Sequence, residues 1–270
     1  PQEVGYYDTP GYPIAVAVAG GYAYVADGRA GLRIIHVCDP VHPAEVGYYD
    51  MPSYAESVAV AGGYVYVANG VEGLRIIDVS DPTQPQEVGY YDTAGCARGV
   101  AVAGGYAYVA DKDADLRMVD VSDPAHPAEV GYYDTPGYAK EVAVAGGYAY
   151  VADGGAGLRI IDASDPTQPQ EIGYCDTYAA QDVVVAGTYA YVADWDAGLR
   201  VIDISDPTHP QEVGYYLVHT THGYACGVAV AGALVYVTYG DGGLIILRYT
   251  GDDLRVYMPI IMHGAGTERR

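Results

Sequence analysis

Three aspartates alternate along Asp111-x-Asp113-x-Asp115, which spaces carboxylate oxygens as a calcium loop does. The segment lacks the glycine that turns such a loop and the distal glutamate that clasps the ion with two oxygens. Calcium is the one cofactor the sequence raises, and its ligand set is incomplete. His219-Thr-Thr-His222 offers two imidazoles without the third protein ligand that a zinc site needs. No Ser-His-Asp order, nucleophile elbow or phosphate-binding loop stands out. No catalytic residue is assigned, and the chain reads as a non-enzyme.

The elements that must position these side chains come from a repeat. P-x-E-V-G-Y-Y or a close copy begins at Pro1, Pro43, Pro85, Pro127, Pro169 and Pro210, at spacings of 42, 42, 42, 42 and 41 residues. A period in this range marks one supersecondary unit that buries its apolar face only against its neighbours. Each unit reads as four short strands. In the third, Gly99–Ala103 and Tyr106–Ala110 alternate around the Gly104-Gly105 hairpin turn, where φ > 0 is easily reached. Leu116–Asp120 follows, and the Ser122–Pro127 connection interrupts the sheet because proline lacks a donor. Glu129–Asp134 closes the unit. No segment shows a helical period.

Four strands repeated six times predict an all-β, six-bladed β-propeller over residues 1–250, with the Ala-rich strand innermost and the Tyr-Tyr strand outermost. The N-terminal strand Glu3–Asp8 has no strands before it. The expected closure therefore makes it the outer strand of blade six, which leaves the segment 251–270 with an extra strand. In that tail Leu254, Val256, Tyr257, Ile260 and Ile261 would form an apolar strand able to pair with an exposed edge. It would dock on its own blade or, head to tail, on another copy.

Charge narrows the partners. The chain of 270 residues carries a formal net charge of −22, with 35 acids against 13 bases. Lys112 and Lys140 are the only lysines. That balance argues against nucleic acid, which is held through Lys and Arg on phosphates. No apolar run approaches the ~20 residues of a membrane span. Thirty tyrosines and no phenylalanine suit half-wet strands, because tyrosine packs its ring and keeps its hydroxyl hydrated. The first residue is Pro1, which is compatible with a removed leader. The four cysteines fall at unrelated places in the repeat and predict no disulfide framework.

The run Gly73–Thr93, G-L-R-I-I-D-V-S-D-P-T-Q-P-Q-E-V-G-Y-Y-D-T, preceded by Y-V-Y-V-A-N-G, resembles the LVIVD-repeat propellers of secreted and cell-surface bacterial proteins. The resemblance covers nearly the whole chain. It implies an extracellular or cell-surface location, a structural or interaction role and no catalytic residues. Partners would then be copies of the chain, another extracellular protein or a glycan. The alternative is a ligand-binding or hydrolytic propeller.

The repeated charges read as structural. Arg33, Arg75, Arg117, Arg159 and Arg200 recur on the third strand, and antiparallel pairing would bring each to the Tyr-Tyr-Asp end of the fourth, Arg33 to Asp50. Asp81, Asp123, Asp165 and Asp206 before proline predict side-chain turns. Divergence between the units marks a different surface. Glu56, Arg98, Lys140, Glu141, Gln181 and Asp182 differ at the start of the inner strand, and Lys112 and Trp195 differ in the turn after the second strand. Both sets fall at one end of the blades, the channel mouth, which is the candidate partner or ligand face.

Overall fold

The computed structural model describes residues 4–113, 115–217, 223–240, 243–249 and 254–255. Among them the chain is all-β: six four-stranded antiparallel sheets, the blades of a six-bladed β-propeller. Blade one holds β1 (Ala15–Ala19), β2 (Tyr22–Ala26), β3 (Leu32–His36) and β4 (Ala44–Tyr49). Blade two holds β5 (Ser57–Ala61), β6 (Tyr64–Ala68), β7 (Leu74–Asp78) and β8 (Gln86–Tyr91). Blade three holds β9 (Ala97–Ala103), β10 (Tyr106–Asp111), β11 (Asp115–Asp120) and β12 (Ala128–Tyr133). Blade four holds β13 (Glu141–Ala145), β14 (Tyr148–Ala152), β15 (Leu158–Asp162) and β16 (Gln170–Cys175). Blade five holds β17 (Asp182–Ala186), β18 (Tyr189–Ala193), β19 (Leu199–Asp203) and β20 (Gln211–Tyr216). Blade six holds β21 (Ala225–Ala231), β22 (Leu234–Tyr239), β23 (Gly243–Tyr249) and β24 (Leu254–Arg255). The backbone divides into two compact units, Pro1–Ala149 with Asp162–Gln170, and Tyr150–Ile161 with Glu171–Arg270.

Within a blade the strands pair in sequence order. The first hairpin turns on two glycines in the left-handed region, Gly62 at φ 61° and Gly63 at φ 85° in blade two. The third and fourth strands meet through a bulge. In blade two Ile76 faces Gly89 while Ile77 faces Glu87, which leaves Val88 as the extra residue. This bulge sets Glu87 and Tyr90 on the same face as Arg75.

The Ala-rich first strands are innermost. In the first unit β1, β5, β9 and β13 lie side by side, as β17 and β21 do in the second. Small side chains permit that approach, and the core fills the space between successive blades. Ala26, Leu32 and Ile34 of blade one pack with Val58, Val65, Val67 and Ile77 of blade two. Tyr66, Leu74 and Ile76 of blade two pack with Val100, Val109 and Val119 of blade three.

A close approach recurs along the outer strands. Gly47, Gly89, Gly131 and Gly173 on the outer strands lie so near the carbonyl oxygens of Pro82, Pro124, Pro166 and Pro207 that a Cβ would overlap them. Gly5 meets Pro40 in the same way.

The strand that completes blade six corrects the expected closure. The segment from Val4 to Thr9 forms no strand; Glu3 lies outside the described residues. The fourth place in blade six belongs to β24, paired as Arg248 with Arg255 and Tyr249 with Leu254. The N-terminal segment is nevertheless seated on blade one as an outer strand is seated on the next blade. Gly5 meets Pro40, and burial followed by the Glu45 carboxylate raises the Tyr7 phenol. Its side chains are placed, but its backbone joins no described sheet.

Candidate functional site

The repeated charges are consumed by the blades themselves. Each third-strand arginine faces a glutamate at the start of its own outer strand: Arg33–Glu45 at 3.7 Å, Arg75–Glu87 at 3.5 Å, Arg117–Glu129 at 3.5 Å, Arg159–Glu171 at 3.7 Å and Arg200–Glu212 at 3.2 Å. The same guanidinium lies over a tyrosine ring, from 4.6 Å for Arg75 over Tyr90 to 5.3 Å for Arg200 over Tyr215. At exposed rings such as these a cation–π contact is worth about 0.5–1 kcal/mol. The expected aspartate partner occurs in two blades, Arg75–Asp92 at 3.7 Å and Arg159–Asp176 at 3.6 Å. For Arg33 the partner is Glu45 rather than Asp50, because Arg33 is registered opposite Tyr48.

The aspartates before proline make the expected turns. Asp81 accepts from the Thr83 amide at 3.0 Å and from its hydroxyl at 2.7 Å. These hydrogen bonds hold the Asp81 carboxyl below its usual range. Sequence reasoning missed a second row, Asp27, Asn69, Asp111, Asp153 and Asp194, all buried at the end of the second strand. Each receives the loop arriving from the preceding outer strand where the contacts are described. Thr9 Oγ1 donates to Asp27 at 2.7 Å, the Ser53 amide to Asn69 at 3.1 Å, and Thr177 Oγ1 to Asp194 at 2.7 Å. The available signal was the Asp or Asn closing the Y-x-Y-V-A motif in five units.

Asp111 belongs to this row. It turns inward to accept from the Gly95 amide at 3.0 Å, and burial raises its carboxyl. Asp115 faces Thr135 at 3.4 Å, and burial and then Asp134 raise it. Asp113 is exposed. Among the described residues no three His, Cys, Asp or Glu side chains are grouped to hold a metal. His219 and His222 lie outside the described residues, as do Val256, Tyr257, Ile260 and Ile261; Leu254 is described in its backbone.

The divergent end separates into two sets. In the second unit the residues are absorbed locally. Trp195 stacks on Tyr224 at 3.7 Å with planes 17° apart. Its φ of 48° puts it where Gly28, Gly70 and Gly154 stand in other blades, each bridging to the start of the next inner strand. Gln181 Nε2 donates to the Ala179 carbonyl at 2.8 Å. Asp182 accepts from the Val183 amide at 2.7 Å and, across to β21, from the Val228 amide at 2.7 Å. Asp182 as a residue is partly buried, but its carboxyl is tucked between those strands. Burial outweighs both hydrogen bonds and pushes it up to about 6.

The first unit holds the divergent cations. Glu141 is folded back, taking the Val142 amide at 3.1 Å and lying against Gly99 of β9. Arg98 on β9, Lys112 after β10 and Lys140 just before β13 share one end of blades three and four, and none forms an ion pair among the described residues. Lys112 occupies the glycine position of the turn. Its amide bonds back to Cys96 at 3.0 Å, and its ammonium lies 5.7 Å from the Tyr138 ring centre. Burial, then Arg98 and Lys112, lower the Lys140 ammonium. Burial, the largest influence, raises the Cys96 thiol. Arg98 and Lys112 oppose it, while Glu56 and Asp111 add to it.

Blade one differs in what covers it. Val16 is 62% exposed and Val18 69%, whereas Val58, Val100, Val142 and Val183 at the position of Val16 are buried.

Solved structures share the architecture at low identity. A 6-phosphogluconolactonase-like protein from Bacteroides fragilis matches with TM-score 0.78 and 12% identity, covering 91% of this chain and 83% of its own. The RRP9 WD40 repeats match with TM-score 0.77 and 11% identity, covering 96% and 83%. The computationally designed Ika8 protein matches with TM-score 0.68 and 9% identity, covering 89% and 72%. Likeness at this identity concerns fold alone. No curated protein sequence matches the chain. The LVIVD repeat matches residues 10–51, 52–93, 94–135, 136–177, 179–218 and 222–247. The chain belongs to the LVIVD-repeat family.

Proposed function

We propose that this is a non-enzymatic propeller of the cell exterior that works as a structural and interaction module and assembles head to tail through its chain ends. The carrying observation is the exposed apolar face of blade one, Val16 and Val18, where the corresponding valines of later blades are covered. Two features support the same reading. Among the described residues the N-terminal segment is seated as an outer strand without a sheet, and β24 pairs with β23 over two residue pairs. A backbone edge and an apolar face left bare together favour strand addition between copies. Head-to-tail contacts of this kind give closed rings or open filaments according to the rotation per step.

Deleting residues 251–270, and separately replacing Val16 and Val18 with glutamate, is followed by sizing and electron microscopy. Polymers of the full chain that vanish in both variants support the reading. A monomeric full chain, or polymers that persist equally in both, overturns it. Protease shaving of intact source cells tests the exterior location, and a protein shielded until lysis contradicts it.

A second reading, ligand binding at the divergent mouth, is favoured by three cations on blades three and four that form no ion pair among the described residues. Replacing Arg98, Lys140 and Trp195 with alanine should weaken binding of a partner captured by the wild type.

A further inference from the structure

We propose that Arg98, Lys112 and Lys140 form a binding site for a small multivalent oxyanion, a phosphate or polycarboxylate, at the start of blades three and four. This deepens the ligand-binding reading of the mouth and names the ligand class.

The argument starts from charge. On a chain of net charge −22, isolated cations readily find carboxylates, and the repeated arginines do so in every blade where they occur. Both lysines and the divergent arginine instead meet at one place without an ion pair among the described residues. Gathering like charges costs energy unless an anion joins them.

The local backbone departs from the repeat in a way that creates the cluster. Blades one, two, four and five carry a residue with positive φ after the second strand, which bridges to the next inner strand. Blade three replaces that residue with Lys112 and extends β10 to Asp111, paired with Ala97. The turn therefore bonds back to Cys96 and leaves the lysine side chain over Tyr138, two residues before Lys140. Glu141, the nearest acid in sequence to Lys140, is folded against Gly99. Asp113 is the one acid that acts on Lys140 from this turn, and it raises the ammonium less than the two cations lower it.

The guanidinium of Arg98 is half sheltered on β9, and its Nε is shielded from water without an acceptor. A planar donor set flanked by two ammonium groups fits a compact ligand bearing several anionic oxygens.

The composition supplies a clean probe, because the only two lysines are both in the site. Isotopic labelling of lysine Cε gives an NMR spectrum with one signal from Lys112 and one from Lys140. Sodium phosphate and sodium citrate are titrated separately against sodium chloride at matched ionic strength. The expected result is a saturable shift of both signals with phosphate or citrate and none with chloride. The apparent pKa of Lys140 should rise when the site is filled. Arg98→Gln should weaken binding about tenfold or more, the loss of a charge-assisted hydrogen bond. Arg29→Gln, beside Tyr54 in blade one, should leave it unchanged. Tighter phosphate assigns a phosphate ligand, and tighter citrate a polycarboxylate.

Shifts that track chloride equally, or that persist unchanged in Arg98→Gln, overturn the proposal. Should that variant misfold, the wild-type titration decides alone. Partner binding lost in the triple alanine variant, with neither phosphate nor citrate moving the lysine signals, removes the oxyanion and leaves the mouth as a partner surface.

Discussion

Tyr91 donates its phenolic hydrogen to the Glu129 carboxylate across 3.0 Å, joining the outer strand of blade two to that of blade three. Glu129 also holds Arg117 at 3.5 Å, so one carboxylate serves a link within its blade and a link between blades. Burial and then this hydrogen bond raise the Tyr91 phenol. Tyr91→Phe keeps the ring and removes the donor. The variant should lose about 1 kcal/mol of unfolding free energy, read from urea midpoints. An unchanged midpoint would show that the seam does not depend on this hydroxyl.

Arg75 is the most enclosed of the ion-paired arginines. Its side chain is 9% exposed, against 21% for Arg200, and it meets Glu72, Glu87 and Asp92. Removing one partner of a buried pair strands the remaining charges. Arg75→Ala should therefore cost about 3 kcal/mol. Arg117→Ala, where the side chain is 15% exposed and Glu129 is the one ion-pair partner among the described residues, should cost about 1 kcal/mol. Equal losses in chemical denaturation would contradict the role given to burial.

Asp182 predicts a pH dependence with a definite sign. Its folded carboxyl is pushed up to about 6, above the ordinary aspartate value of 3.8. A raised acid disfavours its charged form in the fold, so its contribution falls as pH rises from about 4 through 6. Asp182→Asn abolishes the titration. The stability of the wild type relative to this variant should therefore decrease by on the order of 2 kcal/mol between pH 4 and 7.5. Parallel profiles for the two proteins would rule the assignment out.

Asp115 has φ 73° where Gly31, Gly73, Gly157 and Gly198 stand in other blades at 74° to 80°. A side chain there carries backbone strain, and Asp134 adds like charge. Asp115→Gly should raise the unfolding free energy by about 1 kcal/mol despite the greater freedom of the unfolded chain. A lower melting temperature for the variant would mean that the Thr135 contact outweighs both costs.

The sequence made the strands plain because alternation, paired glycines and Asp-Pro turns are local signals. Glu45 as the partner of Arg33 was hidden by a bulge, which lies in the pairing of two strands rather than in either one. The buried aspartate row was hidden for a similar reason. Asp27 receives a loop that begins 18 residues earlier, and its carboxylate alone reads as an ordinary turn residue. Trp195 stands out in the sequence as a divergent turn residue, yet it fills a glycine position and stacks on Tyr224. The three cations were visible as divergence. Their proximity depended on how the blade-three turn bends back.

The notch between outer-strand glycine and proline carbonyl bears on how such a chain can grow. Blades one to four bring both halves of the fastening: a glycine for the next blade's proline and a proline for the glycine before it. Gly5 already occupies the glycine half against Pro40. A tandem copy spliced in at any of these joints arrives with its mortise and its tenon cut. Lengthening or shortening the array by one such blade therefore requires no new joint.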